Sequence, residues 1–303
     1  MEAWVDSIQY RQVMNACRAN DRNTLNHIIE ERLAAVTGPE RAFWLRVRAA
    51  QRARDALMPH LVEMAWVDLR DALQAAPDDQ EERMQTLLAA FGLSLTGERP
   101  DKLVEFLKAM RPGFRRLADT PFFWQGLGFM NMKRGRWRKA ARAFGRAIAT
   151  FDLLSPYEQE LYACRPAHFH AWRAICLVGC GETERAAADM DTANGLAQTH
   201  PPQNINHSAL GVAQAELALE RGLIQEARTA LQHGVMQDAL LKRPKAEPAH
   251  LAERELLAAR IARAEGNHVG FGHFCEKALA ICTQYRLPLT EQRVRAVMAG
   301  AAR

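Results

Sequence analysis

The feature that most constrains this chain is a glycine that recurs between two apolar-periodic stretches, at Gly97, Gly135, Gly181, Gly222 and Gly266, spaced 38, 46, 41 and 44 residues apart. Around each glycine the same arrangement of small and large residues returns: Ala90, Phe106 and Ala109; Gly128, Ala140, Phe144 and Ala147; Ala174, Ala186, Met190 and Ala193; Ala215, Ala227 and Leu231; Ala259, Cys275 and Ala278. A glycine can take the positive φ that ends one helix, and small residues on either side let a second helix pack back closely against the first. Self-similarity at such a period predicts a stack of helix pairs, each burying its apolar face on the next.

The clearest unit begins at Pro121. It reads Trp124, Leu127, Gly128 and Asn131, then the turn at Gly135, then Ala140, Phe144 and Ala147, with Pro156 beyond. This resembles the tetratricopeptide repeat, with Asn131 in place of the usual Tyr and the proline late. The spacings exceed the repeat's usual length of about 34 residues, which requires longer helices or inserted loops. In this the chain is similar to the helical-repeat arms of bacterial transcription regulators and peptide receptors. The resemblance spans residues 83–285 and implies an all-α, right-handed α-solenoid of antiparallel helix pairs. Trp124 is expected in the core, and Trp124→Ala is expected to cost roughly 3–5 kcal/mol.

Upstream, Thr37-Gly38-Pro39-Glu40, Met58-Pro59 and Ala76-Pro77-Asp78-Asp79 punctuate further amphipathic segments that lack the turn glycine. The expected organisation is residues 1–80 as a helical cap or degenerate repeats, 81–288 as the repeat array, and 289–303 as a helix closing the far end, with Val294, Val297 and Met298 on one side. Hydrophobic residues make up 48% of the 303, enough for a continuous core. No apolar stretch approaches the roughly 18 residues of a membrane span. Nothing at the start reads as an export leader, so a cytoplasmic location and reduced thiols at Cys17, Cys164, Cys176, Cys180, Cys275 and Cys282 are expected.

In the tetratricopeptide family the first helices of successive pairs line a groove that receives a peptide or a helix. The resemblance places Phe122, Gln125, Phe129, Met132 and Lys133 on that face, with Leu87 and Phe91 in the preceding unit, Glu216 and Glu220 in a later one, and Arg260 and Arg263 in the last. Phe122 and Phe129 could equally pack on neighbouring repeats. A second candidate surface is the basic run Arg134, Arg136, Arg138, Lys139, Arg142 and Arg146, in which Arg138, Arg142 and Arg146 recur every four residues on one helix face. It reads either as a solvated outer face or as a site for phosphates.

Cys164, His168, Trp172, Cys176 and Cys180 also recur every four positions, but on one helix Cys164 and Cys180 would lie about 24 Å apart, and no second ligand pair follows. No metal and no cofactor is expected. None of the short catalytic motifs is present, and an enzyme built around His168 and His170 is the remaining alternative to a binding role. The expectation is therefore a non-enzymatic scaffold or adaptor for a protein or peptide. The alternative is a peptide-sensing module of a transcription-regulatory system, touching nucleic acid through the basic helix.

Overall fold

The structure, a computed structural model, describes residues 22–54, 59–79, 82–83, 85–87, 89–90, 93, 102–103, 106, 121–154, 156–201, 205–240 and 248–300. Among them there is no strand, and the regular elements are helices. No described helix is long and apolar enough to cross a membrane. The chain divides into two compact units, residues 1–94 with 101–111, and residues 95–100 with 112–303.

In the first unit lie α1 (Arg22–Ala35), α2 (Gly38–Arg54) and α3 (Pro59–Ala75); α2 starts at Gly38, α3 starts at Pro59, and α3 ends just before Pro77. Leu25, Ile29, Leu33, Trp44, Leu45 and Ala72 bury one core between them. Asp68 of α3 is buried and accepts hydrogen bonds from Arg48 at 2.8 and 3.1 Å and from Arg52 at 2.5 Å. That ion cluster pins α3 to α2.

The second unit is an all-α solenoid. Its helices are α4 (Pro121–Lys133), α5 (Trp137–Phe151), the short α6 (Pro156–Leu161), α7 (Arg165–Val178), α8 (Thr183–Gln198), α9 (His207–Glu220), α10 (Ile224–Leu240), α11 (Pro248–Ala264), α12 (His268–Tyr285) and α13 (Pro288–Met298). They pack as antiparallel pairs, α4 with α5, α7 with α8, α9 with α10 and α11 with α12. Each pair leans on the next, α7 on α5, α9 on α7 and α11 on α9. The short α6 takes up the longest glycine spacing.

Each pair turns through one local motif. Gly135, Gly181, Gly222 and Gly266 have φ of 66, 77, 73 and 72°. The residue after each glycine donates its N–H to the carbonyl five residues back: Arg136 to Asn131 at 2.8 Å, and Glu182 to Leu177, Leu223 to Ala218 and Asn267 to Ala262 at 2.9 Å. This is the Schellman closure, which satisfies carbonyls that a helix end leaves open. The same bond from Leu287 to Cys282 ends α12, but there Arg286 occupies the left-handed position with φ of 53°.

The small residues around the turns are buried seams. Ala140, Ala147, Ala174, Ala186, Ala193, Ala215, Ala227, Ala259, Cys275 and Ala278 are all fully buried. Between α9 and α10 the backbones nearly touch: a Cβ on Gly234 would stand 2.5 Å from the His207 carbonyl oxygen, and one on Gly211 2.7 Å from that of Ala230. The start of α9 is fixed from both sides. Asn206 accepts from the Ala209 N–H at 3.0 Å, while Asp238 of α10 accepts from the His207 and Ser208 N–H groups at 3.2 and 2.9 Å.

One core expectation changes in degree. Trp124 is only part-buried, edge-on to Phe123 at a centroid distance of 5.2 Å, and it is Phe123 and Phe144 that are fully enclosed. Val294 and Val297 of α13 are buried, whereas Met298 is exposed.

Candidate functional site

The first helices of the pairs, α4, α7, α9 and α11, bring most of the expected groove residues together, and their main partners are one another. Phe129 is 3% exposed, edge-on to Phe144 at 5.3 Å and to Trp172 at 4.9 Å. His250 of α11 stacks on Trp172 with ring centroids 5.4 Å apart. Met132 is buried beside them. Lys133 donates to Glu253 at 2.6 Å and to the Thr290 hydroxyl at 3.3 Å, and Arg293 reaches the same Glu253 oxygen at 3.0 Å. Arg260 grips both carboxylate oxygens of Glu216 at 2.7 Å, and Arg263 donates to the Val297 carbonyl at 3.2 Å.

One small open pocket among the described residues lies between these side chains, lined by Met132, Trp137, Trp172, Glu216, Glu253 and Arg260 among others. Phe122 and Gln125, nearer the start of α4, stay part-exposed, with Phe122 edge-on to Tyr162 at 4.7 Å. Leu87 is buried and Glu220 exposed. Phe91, Gly97 and Ala109 lie outside the described residues, as does Cys17.

Sequence reasoning missed His250, Glu253 and Arg293. A signal for the first two exists: His250, Glu253, Leu257 and Arg260 fall at i, i+3, i+7 and i+10, one stripe of α11 that faces inward, so two of its inner positions carry charge where an apolar residue would be ordinary. Burial pushes the Glu253 carboxyl up, but Lys133, Arg293 and His250 outweigh it and hold the group at about 2, against an ordinary 4.5.

His168 and His170 occupy structural positions. His168 Nε2 accepts the Asn206 N–H at 3.0 Å. His170 Nδ1 stands 2.9 Å from Asp189 Oδ1, and since a carboxylate only accepts, that nitrogen carries the proton. Asp189 also takes two bonds from Arg173, at 2.5 and 2.6 Å. Burial raises the Asp189 carboxyl, and Arg173 with His170 more than reverse this, so it lies below its ordinary value. Cys176 is enclosed and its thiol pushed far up by burial; Cys180 is raised by burial and by Glu182. Such thiols stay protonated, which makes them poor ligands and nucleophiles. Among the described residues no three metal-binding side chains gather.

The basic run is arranged very differently. Arg134, Arg136, Arg138, Lys139, Arg142 and Arg146 are all exposed, and none of their side chains makes a hydrogen bond or ion pair with a described residue. The buried side of the same helix is Ala140, Ala143, Phe144, Ala147 and Phe151, and none of its fifteen residues is acidic. Other outer charges are matched: Arg185 with Glu182, Arg221 with Glu184 at 3.2 Å, Arg228 with Glu265, and Arg295 with Glu291 at 2.7 Å.

No family model matches the sequence, and no curated protein matches it. Among solved structures, one described as "Functional Characterization of Pseudomonas Aeruginosa pilF" aligns at 15% identity and a TM-score of 0.44, covering 84% of this chain and 98% of the other. At that TM-score the likeness carries no argument, and the assignment as an all-α solenoid of helix pairs rests on the helices themselves.

Proposed function

We propose that the chain is a non-enzymatic helical-repeat scaffold that holds another protein or a peptide, in a regulatory and cytoplasmic role. One contrast supports it: the polar groups of the inner face bond to one another, while α5 and the turn before it expose six cations whose side chains no described residue matches. Charge left unneutralised on a rigid helix is available to something outside the chain. On the inner face Phe122 and Gln125 form the reachable rim. Phe129, Met132, Lys133 and Arg260 join a partner site only where α11 moves off α4.

Gentle affinity capture from cell extract, with quantitative mass spectrometry, tests the reading. The expected result is a protein or peptide held near one per chain and lost from a Phe122→Ala/Gln125→Ala variant or from an α5 charge variant that melts like the parent. Recovery of nothing near that ratio, from parent and variants alike, would overturn it.

A further inference from the structure

We propose that the outer face of α5 docks an acidic segment of a protein partner, whose carboxylates meet the guanidinium groups of Arg138, Arg142 and Arg146. This rests on the scaffold reading and names the chemistry of its partner. Residues four apart on a helix rise about 6 Å each, so the three arginines form a row about 12 Å long on one face. Lys139 lies beside it and Arg134 and Arg136 precede it in the turn.

The row is held against local physics. Like charges four apart repel, and Arg136, Arg138 and Lys139 crowd the helix start, where the backbone dipole already presents positive charge and no acidic residue relieves it. The opposite side of α5 is locked by the fully buried Ala140, Phe144 and Ala147, so the helix cannot roll its cations onto another surface of the chain. An anion at this face removes the repulsion.

Five of the six cations are arginine, whose planar fork grips a carboxylate or a phosphate through two bonds. Two observations favour carboxylates on a peptide over a nucleic acid. At the start of α5 the strip borders the turn before α8, where Glu182 acts on Cys180 alongside Arg138. A polynucleotide running off that end would have to pass its phosphates by this acid. Nor does the face offer a ring for base stacking, since its neighbouring Trp137 is half-buried and lies under the Arg293 guanidinium at 5.7 Å. An acidic helix or strand, carrying its charges in one row, matches the strip.

The test is fluorescence anisotropy on the full chain with three labelled probes: a helix-forming peptide with Glu at every fourth position, the same peptide with Gln at those positions, and a 20-base single-stranded DNA. The expected result is binding of the Glu peptide, weakening with salt, and loss of about tenfold or more in affinity for an Arg138→Gln/Arg142→Gln/Arg146→Gln variant whose thermal melt matches the parent. Equal binding of the Glu and Gln peptides, tighter binding of the DNA than of the Glu peptide, or a triple variant that binds like the parent would each overturn the proposal. The two readings fail separately. A cellular protein still captured by the triple variant keeps the scaffold and removes this docking face, whereas a bound Glu peptide with no captured protein does the reverse.

Discussion

Glu253→Gln removes the charge on which Lys133 and Arg293 converge, and its effect can be worked from the structure. The carboxyl is held at about 2 instead of 4.5 in a side chain only 15% exposed, and a depression of that size is worth about 3 kcal/mol of folding stability at neutral pH. Breaking one partner of a buried pair commonly costs about 3–5 kcal/mol, in the same range. The sign follows from the direction of the shift. A group that titrates lower in the folded state stabilises fully above its unfolded value, and that stabilisation fades as pH falls from about 5 towards 2. Urea unfolding of parent and variant at pH 7 and pH 3 should therefore show a gap of about 3 kcal/mol at the higher pH that shrinks to about 1 kcal/mol at the lower. A gap of equal size at both values would mean that the glutamate acts through shape or neutral hydrogen bonding, and no gap at all would refute the closed inner face.

Four backbone and core changes follow from the packing. Gly234→Ala would set a Cβ 2.5 Å from the His207 carbonyl oxygen, where only backbone can give way, and should cost about 1–3 kcal/mol by thermal unfolding. Two of the left-handed positions should respond in opposite directions: Gly222→Ala should destabilise by about 1 kcal/mol, while Arg286→Gly, at φ of 53°, should leave stability unchanged or raise it by up to about 1 kcal/mol. Trp124→Ala should cost about 2 kcal/mol, below the usual fully buried aromatic truncation, because the ring is only part-buried. Calorimetric melts separate these outcomes, and a Trp124→Ala loss as large as that of Phe144→Ala would contradict the burial order.

The repeat was legible because its signals are local. A glycine at a helix end needs only its own neighbours to dictate a positive φ, and Gly135, Gly181, Gly222 and Gly266 all adopt it. Small residues such as Ala174, Ala186, Ala215 and Ala227 sit at seams because close helix approach excludes anything larger. The inner face was not legible. Phe129 and Met132 carry the periodicity of an apolar face, and periodicity says which side of a helix is apolar without saying whether a partner or the same chain covers it. Lys133 finds Glu253 across 120 residues of sequence, and that pairing is set by the curvature of the stack, which no short window contains. The basic face was visible as a charge run. That no described residue pairs with its side chains emerged only once neighbouring helices could be compared.

Native mass spectrometry of the full chain, isolated under gentle conditions from the cell that makes it, tests the scaffold role most directly. A complex whose mass exceeds that of the chain by one protein or peptide, dissociating as salt is raised, is the predicted result. A chain that flies alone under every condition, or one that carries nucleic acid in place of protein, would contradict it.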